Sequence, residues 1–110
     1  MEMNLEEVGS ISRFILNGKL DAKGAEQIEL RFTAAVSGRT KVAIDLAAVD
    51  YISSIGIRIL VVAGKTVARR GGKLVMFSAS ETVAKILMAA GVTDFLPLLE
   101  DWAAASQSFA

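Results

Sequence analysis

The spacing of apolar positions switches repeatedly between the period of a strand and the period of a helix. Ile11 to Leu16 alternates weakly and predicts a strand, ended by the turn-favouring pair Asn17-Gly18. Ala25, Ile28, Phe32 and Ala35 then follow helical spacing, with Asp21 placed to cap that helix and Ser37-Gly38 to end it. Lys41 to Leu46 carries a β-branched apolar run, the pattern of a strand covered on both faces. A second helix is predicted over Ile55 to Arg70, stopped by Gly71-Gly72, and a further short strand over Lys73 to Phe77. Ser80 can cap a third helix with Val83, Ile86, Leu87 and Ala90 on one side and Gly91 at its end. Phe95 to Leu98 reads as a last short strand. Asp101 then caps a terminal helix that brings Trp102, Ala105 and Phe109 to the core.

Strands alternating with helices favour parallel pairing through right-handed crossovers. The expected fold is α/β: one domain over residues 1–110, with a small mixed β-sheet packed against about four α-helices. The helices should cover mainly one face, because the chain is too short to cover both well.

Composition narrows the function. Hydrophobic residues make up 53% of the 110, enough for a single core. Twelve basic and twelve acidic residues cancel, which argues against nucleic-acid binding, since that rests on a basic footprint. Cysteine is absent, so disulfides and thiol chemistry are excluded. Histidine is absent too, which removes the commonest general base and metal ligand. The acidic start, Met1 to Glu7, lacks a signal-peptide core. The most apolar run, Ile55 to Ala63, is interrupted by Arg58 and followed by Lys65, and is too short to span a bilayer. A cytoplasmic protein without membrane insertion is expected.

The candidate chemistry lies at Ser53-Ser54, where the second helix begins. A serine there can accept a hydrogen bond from a free amide of the first turn. The helix dipole makes the same place favourable for a phosphate. At roughly 100° per residue, Arg58, Lys65 and Arg69 fall in one stripe of the helix, with Ser54 near its head. Two compatible readings follow. Ser54 is an N-cap and the basic residues are a solvated edge, or Ser54 is a phosphoacceptor whose modified form pairs with Arg58. Asp45 and Asp50 frame the loop expected before the serines. Asp45 either satisfies loop amides or serves a site at the strand end; Asp21 is either a helix cap or part of a binding surface. A catalytic serine lacks support: there is no Gly-x-Ser-x-Gly elbow and no histidine. Neither phosphate-loop nor metal-ligand spacing is present, so no cofactor or metal is expected.

These pieces in this order resemble the STAS domains of the anti-sigma factor antagonist type. The matching segments are Gly18-Lys19-Leu20-Asp21, Val42-Ala43-Ile44-Asp45-Leu46, Tyr51-Ile52-Ser53-Ser54-Ile55-Gly56, Arg70-Gly71-Gly72-Lys73-Leu74, Leu87-Met88-Ala89-Ala90-Gly91-Val92 and Phe95-Leu96-Pro97. The resemblance implies a non-enzymatic, phosphorylation-controlled binding switch. The unphosphorylated form would bind an anti-sigma factor that is itself a serine kinase, and a PP2C-type phosphatase would reverse the modification. By position the phosphoacceptor is Ser54. The implied partner-binding set is Asp21, Asp45, Ser53, Ser54, Ile55, Gly56 and Arg58. The family motif usually reads Asp-Ser-small-Gly. Here Ser53 replaces the acid and offers a competing acceptor, Ile55 is bulky, and Arg58 stands where glycine is frequent. An alternative from the same resemblance is a STAS subunit docked constitutively on an ABC-type phospholipid transporter ATPase. Monomer and weak dimer are both compatible with the sequence.

Overall fold

The chain opens with an antiparallel hairpin rather than the single strand its alternation predicts. In the computed structural model, which describes residues 1–110, β1 (Glu2–Val8) pairs with β2 (Ile11–Leu20) from Glu2↔Asn17 to Val8↔Ile11. The turn is Gly9-Ser10, with Gly9 at a left-handed φ of 61°. Asn17-Gly18 is therefore not a turn. It lies inside β2, where the pairing with the next strand shifts register twice.

Those shifts explain a second departure. β3 runs over Lys41–Ile52, well past the predicted Leu46. Its partners step from Ile15↔Asp45 to Asn17↔Ala48 and from Gly18↔Val49 to Lys19↔Tyr51, so each irregularity adds one residue on the β3 side. Bulges of this kind bend a strand while keeping it paired. No loop intervenes between Asp45 and the serines, and Asp50 is an exposed strand residue.

The other elements are α1 (Ala22–Val36), α2 (Ser54–Arg69), β4 (Lys73–Phe77), α3 (Glu81–Ala89), β5 (Leu98–Leu99) and α4 (Trp102–Gln107). The sheet order is β1-β2-β3-β4-β5; β1–β2 is antiparallel and the remaining pairs are parallel. The last strand falls later than Phe95 to Leu98. Val92–Asp94 forms a 3-10 turn, the buried Leu96 follows it, and strand pairing starts at Leu98.

Side-chain alternation divides the sheet into two covered faces. Phe14, Leu16, Ile44, Leu46, Leu74 and Met76 join apolar residues of α1, α2 and α3 in a core of 21 buried residues. Phe14 and Phe32 meet edge-to-face there, with ring centroids 5.4 Å apart. On the opposite face Ile11, Ala43, Val75 and Phe77 form a smaller cluster with Ala105 of α4. Trp102 and Phe109 pack partly buried against it, as the terminal pattern implied. Each α-helix starts on a side-chain cap: Asp21, Ser53, Ser80 and Asp101 accept from Gly24, Gly56, Val83 and Ala104 amides respectively.

Candidate functional site

The site is built where two adjacent parallel strands hand over to helices. Leu20 pairs with Ile52, so the next residues, Asp21 and Ser53, begin α1 and α2 at the same end of the sheet. Ser53 is tied down. Its amide donates to the Leu20 carbonyl at 2.9 Å. Its hydroxyl accepts from the Gly56 amide at 3.3 Å and donates to the Leu20 carbonyl at 3.4 Å. The N-cap is therefore Ser53 and not Ser54.

Ser54 is the first residue inside α2. It is exposed, and its hydroxyl makes no hydrogen bond within the protein. The Ser54 and Ile55 amides also find no acceptor in the chain, because an α-helix leaves its first amides free. An exposed hydroxyl thus stands beside free N–H groups at the positive end of a 16-residue helix. Gly56 makes this placement possible. A Cβ at that position would run into the carbonyl oxygen and side chain of Leu20. Tyr51 and Ile55, 45% and 42% exposed, add apolar surface around the serine.

Arg58 lies one helical turn beyond Ser54, exposed and without an ion-pair partner. Asp21 is half-buried, with its carboxylate accepting from the Gly24 amide at 2.8 Å. Asp45 belongs elsewhere. It is only 6% exposed, inside β3, and its Oδ2 receives Arg13 Nη2 at 2.8 Å. Its Oδ1 accepts the Ala47 amide at 3.0 Å, so it does satisfy a backbone amide, but in a bulged strand rather than a loop. The Arg13 guanidinium in turn lies 4.8 Å from the Trp102 ring centroid and 5.4 Å from that of Phe77. Asp45 therefore serves the α4 face, and the structure does not bring it to the serines. Arg13 was not singled out from the sequence; the available signal was a lone cation within the alternating strand Ile11 to Leu16.

The arrangement is that of a small domain that presents an exposed serine at a helix start, with no base hydrogen-bonded to it. The STAS domain model matches residues 2–105, and the chain belongs to the STAS domain family. The chain is similar to BtrV of Bordetella bronchiseptica, a candidate anti-sigma factor antagonist. The two are 27% identical over 110 residues, covering 99% of this chain and 95% of BtrV. Its fold matches an anti-sigma-factor antagonist (STAS) domain protein from Planctomyces limnophilus, with a TM-score of 0.89 at 23% identity over 98% of this chain and 97% of the other. It also matches the phosphorylated form of the Bacillus cell fate determinant SpoIIAA, with a TM-score of 0.74 at 18% identity over 99% and 100%. These structural likenesses establish the mixed sheet with four helices. No helix of the chain is long and apolar enough to cross a membrane.

Proposed function

We propose that this chain is a cytoplasmic anti-sigma factor antagonist whose binding surface is the head of α2 and whose state is set by phosphorylation of Ser54. The observation that carries the proposal is the division of labour between the two serines. Ser53 is half-buried and engaged by Gly56 and Leu20, whereas the Ser54 hydroxyl is exposed and unbonded. An attacking hydroxyl must be reachable, and Ser54 meets that condition. Ser53 also performs the amide-accepting task that an acidic residue would perform at an N-cap.

The unphosphorylated form binds an anti-sigma factor that is a serine kinase. That kinase transfers the terminal phosphoryl group of ATP to Ser54 Oγ, forming the O–P bond and releasing ADP and the hydroxyl proton. A PP2C-type phosphatase hydrolyses the ester. The modification adds roughly −1.5 to −2 charges at pH 7. Free amides at the helix start accommodate the charge, while a partner seated on Tyr51, Ile55 and Arg58 must desolvate it. A coupling of about 3 kcal/mol would lower affinity roughly a hundredfold. The contact surface proposed here comprises Asp21, Ser53, Ser54, Ile55 and Arg58, without Asp45 and without Gly56, which is buried against Leu20. Similarity to BtrV and to SpoIIAA, solved in a phosphorylated form, supports the reading.

Peptide mass spectrometry of the protein from its native cells, resolving Ser53 from Ser54, tests it. Substoichiometric phosphate on Ser54 is the expected result. Phosphate confined to Ser53, or absent under all growth conditions, would overturn the assignment.

A further inference from the structure

We propose that the far end of α2, around Lys65, Arg69 and Phe95, is a second docking surface, separate from the Ser54 head, for an acidic segment of a partner protein. Charge along the chain points there first. The protein is neutral overall, yet five of its twelve basic residues (Arg58, Lys65, Arg69, Arg70 and Lys73) and none of its twelve acidic ones lie between Tyr51 and Ser80. The fold gathers two of them into one hollow, lined by Lys65, Ala68, Arg69 and Phe95. An adjoining hollow shares Ala68 and Phe95 and adds Lys73 with the apolar side chains of Leu74 and Leu96. No carboxylate lines either one, and Asp94, the neighbour of Phe95, belongs to neither. Lys73 is engaged elsewhere, its Nζ donating to the Ser108 carbonyl at 2.9 Å. Lys65 and Arg69 are exposed, with no carboxylate within ion-pair distance. A helix C-terminus favours a cation in its last turn, which accounts for Arg69. It accounts neither for Lys65, one turn earlier, nor for the exposed aromatic ring beside both.

Phe95 decides the class of partner. It is 43% exposed, but its ring lies against α2: a Cβ on Gly64 would sit 3.3 Å from Phe95 Cε2 and 3.5 Å from Cζ. The Phe95 amide donates to the Val92 carbonyl at 3.0 Å, which holds the backbone here. The outer atoms of the ring thus point at the helix, and solvent meets a face and not a tip. A membrane surface takes up apolar groups that project into it, so a ring held this way suits an apolar side chain laid on its face instead. An aromatic anchor beside arginine is the composition of protein-interface hot spots. Opposite charge on the incoming segment completes the match. Ser54 and Arg69 are fifteen residues apart on one helix, about 22 Å at the α-helical rise. That exceeds the screening length of about 8 Å at physiological ionic strength, so a phosphate at the head leaves this surface unaffected.

The test replaces Ala68, exposed and shared by both hollows, with a photo-crosslinking amino acid in the full chain produced in its own cells, and maps the attached residue by mass spectrometry. The expected product is a protein joined within a segment rich in Asp or Glu. Lys65→Ala combined with Arg69→Ala should reduce it about tenfold, and Ser54→Asp should leave it unchanged. Both cations are exposed and outside the ion pairs, so the double variant keeps the fold. With the captured protein purified, the parent's affinity should fall as salt is raised, and that of the double variant should hardly change. A product in a basic or uncharged segment, a lipid or nucleic-acid adduct, or no product overturns the proposal. So does a product that survives loss of both cations. Disappearance with Ser54→Asp overturns the separateness of the surface and assigns it to the partner of the α2 head.

Discussion

Adjacent serines at the head of α2 have opposite jobs, and single substitutions should separate them. Ser53→Ala removes the acceptor for the Gly56 amide and should cost about 1 kcal/mol. That corresponds to about 5 °C in the thermal midpoint of a domain this size. Ser54→Ala removes no internal hydrogen bond and should stay within about 0.5 kcal/mol of the parent, while abolishing phosphorylation. Thermal unfolding of the two variants side by side checks the pair; equal losses would return Ser54 to a capping role. Gly56→Ala should be worse than either, by about 2 kcal/mol, because its methyl group meets the Leu20 carbonyl on a neighbouring strand. The serine pair was legible in the sequence as a helix start, but which serine caps was not. Placement of a cap differs by one residue with the last strand pair, and that pair, Leu20↔Ile52, is a long-range fact. Gly56 looked like a motif residue and proves to be a contact residue for the same reason.

At the scale of elements, α4 is held to the sheet by a chain of contacts that runs Asp45, Arg13, Trp102. Asp45→Ala leaves the Arg13 guanidinium without its carboxylate and frees the Ala47 amide in the bulge. Breaking a buried pair costs about 3–5 kcal/mol, but the Arg13 side chain is 25% exposed, which reduces the expected loss to about 2 kcal/mol. Trp102 is the only tryptophan, so its emission reports α4 directly. A red shift and loss of stability in Asp45→Ala, eased by adding Arg13→Met, are expected. Unchanged emission would mean that α4 docks through Ala105 and Phe109 without the stack. Helices with caps and glycine stops were readable: Asp21, Ser80, Gly91 and Asp101 mark ends where the structure puts them. Strands were readable only when buried on both sides, as in Val42 to Leu46. β1 was missed because an edge strand rich in exposed Glu2, Glu6 and Glu7 lacks an apolar alternation, and charge on an edge serves to discourage further pairing. The second half of β3, Ala47 to Ile52, contains alanines and an aspartate that disfavour strands. Pairing with the bulged end of β2 overrides that preference.

For the whole molecule, the question is whether a phosphate acts through charge or through shape. The head of α2 is fixed from below: Ile52, Gly56, Ile59 and Leu60 are buried, and Ser53 is bonded to the end of β2. Such a start has little freedom to rearrange, since packed interiors do not deform continuously. The phosphate instead meets free amides and a helix dipole, an interaction worth about 0.3–1 kcal/mol in favour of the folded state. Phosphorylating Ser54 should therefore leave the thermal midpoint unchanged or raise it by a few degrees, about 2–5 °C. In amide correlation spectra, shifts should be confined to α2's first turns and the adjoining ends of β2 and β3. The resonances of β5 and α4 should stay in place, because β5 is the far edge strand and α4 lies on the opposite face of the sheet. Partner binding should nevertheless fall roughly a hundredfold. Extensive shifts in α4, or a lowered midpoint, would show a conformational switch. A local shift with lost binding would show that a rigid fold carries the signal by placing about two negative charges on the exposed start of α2.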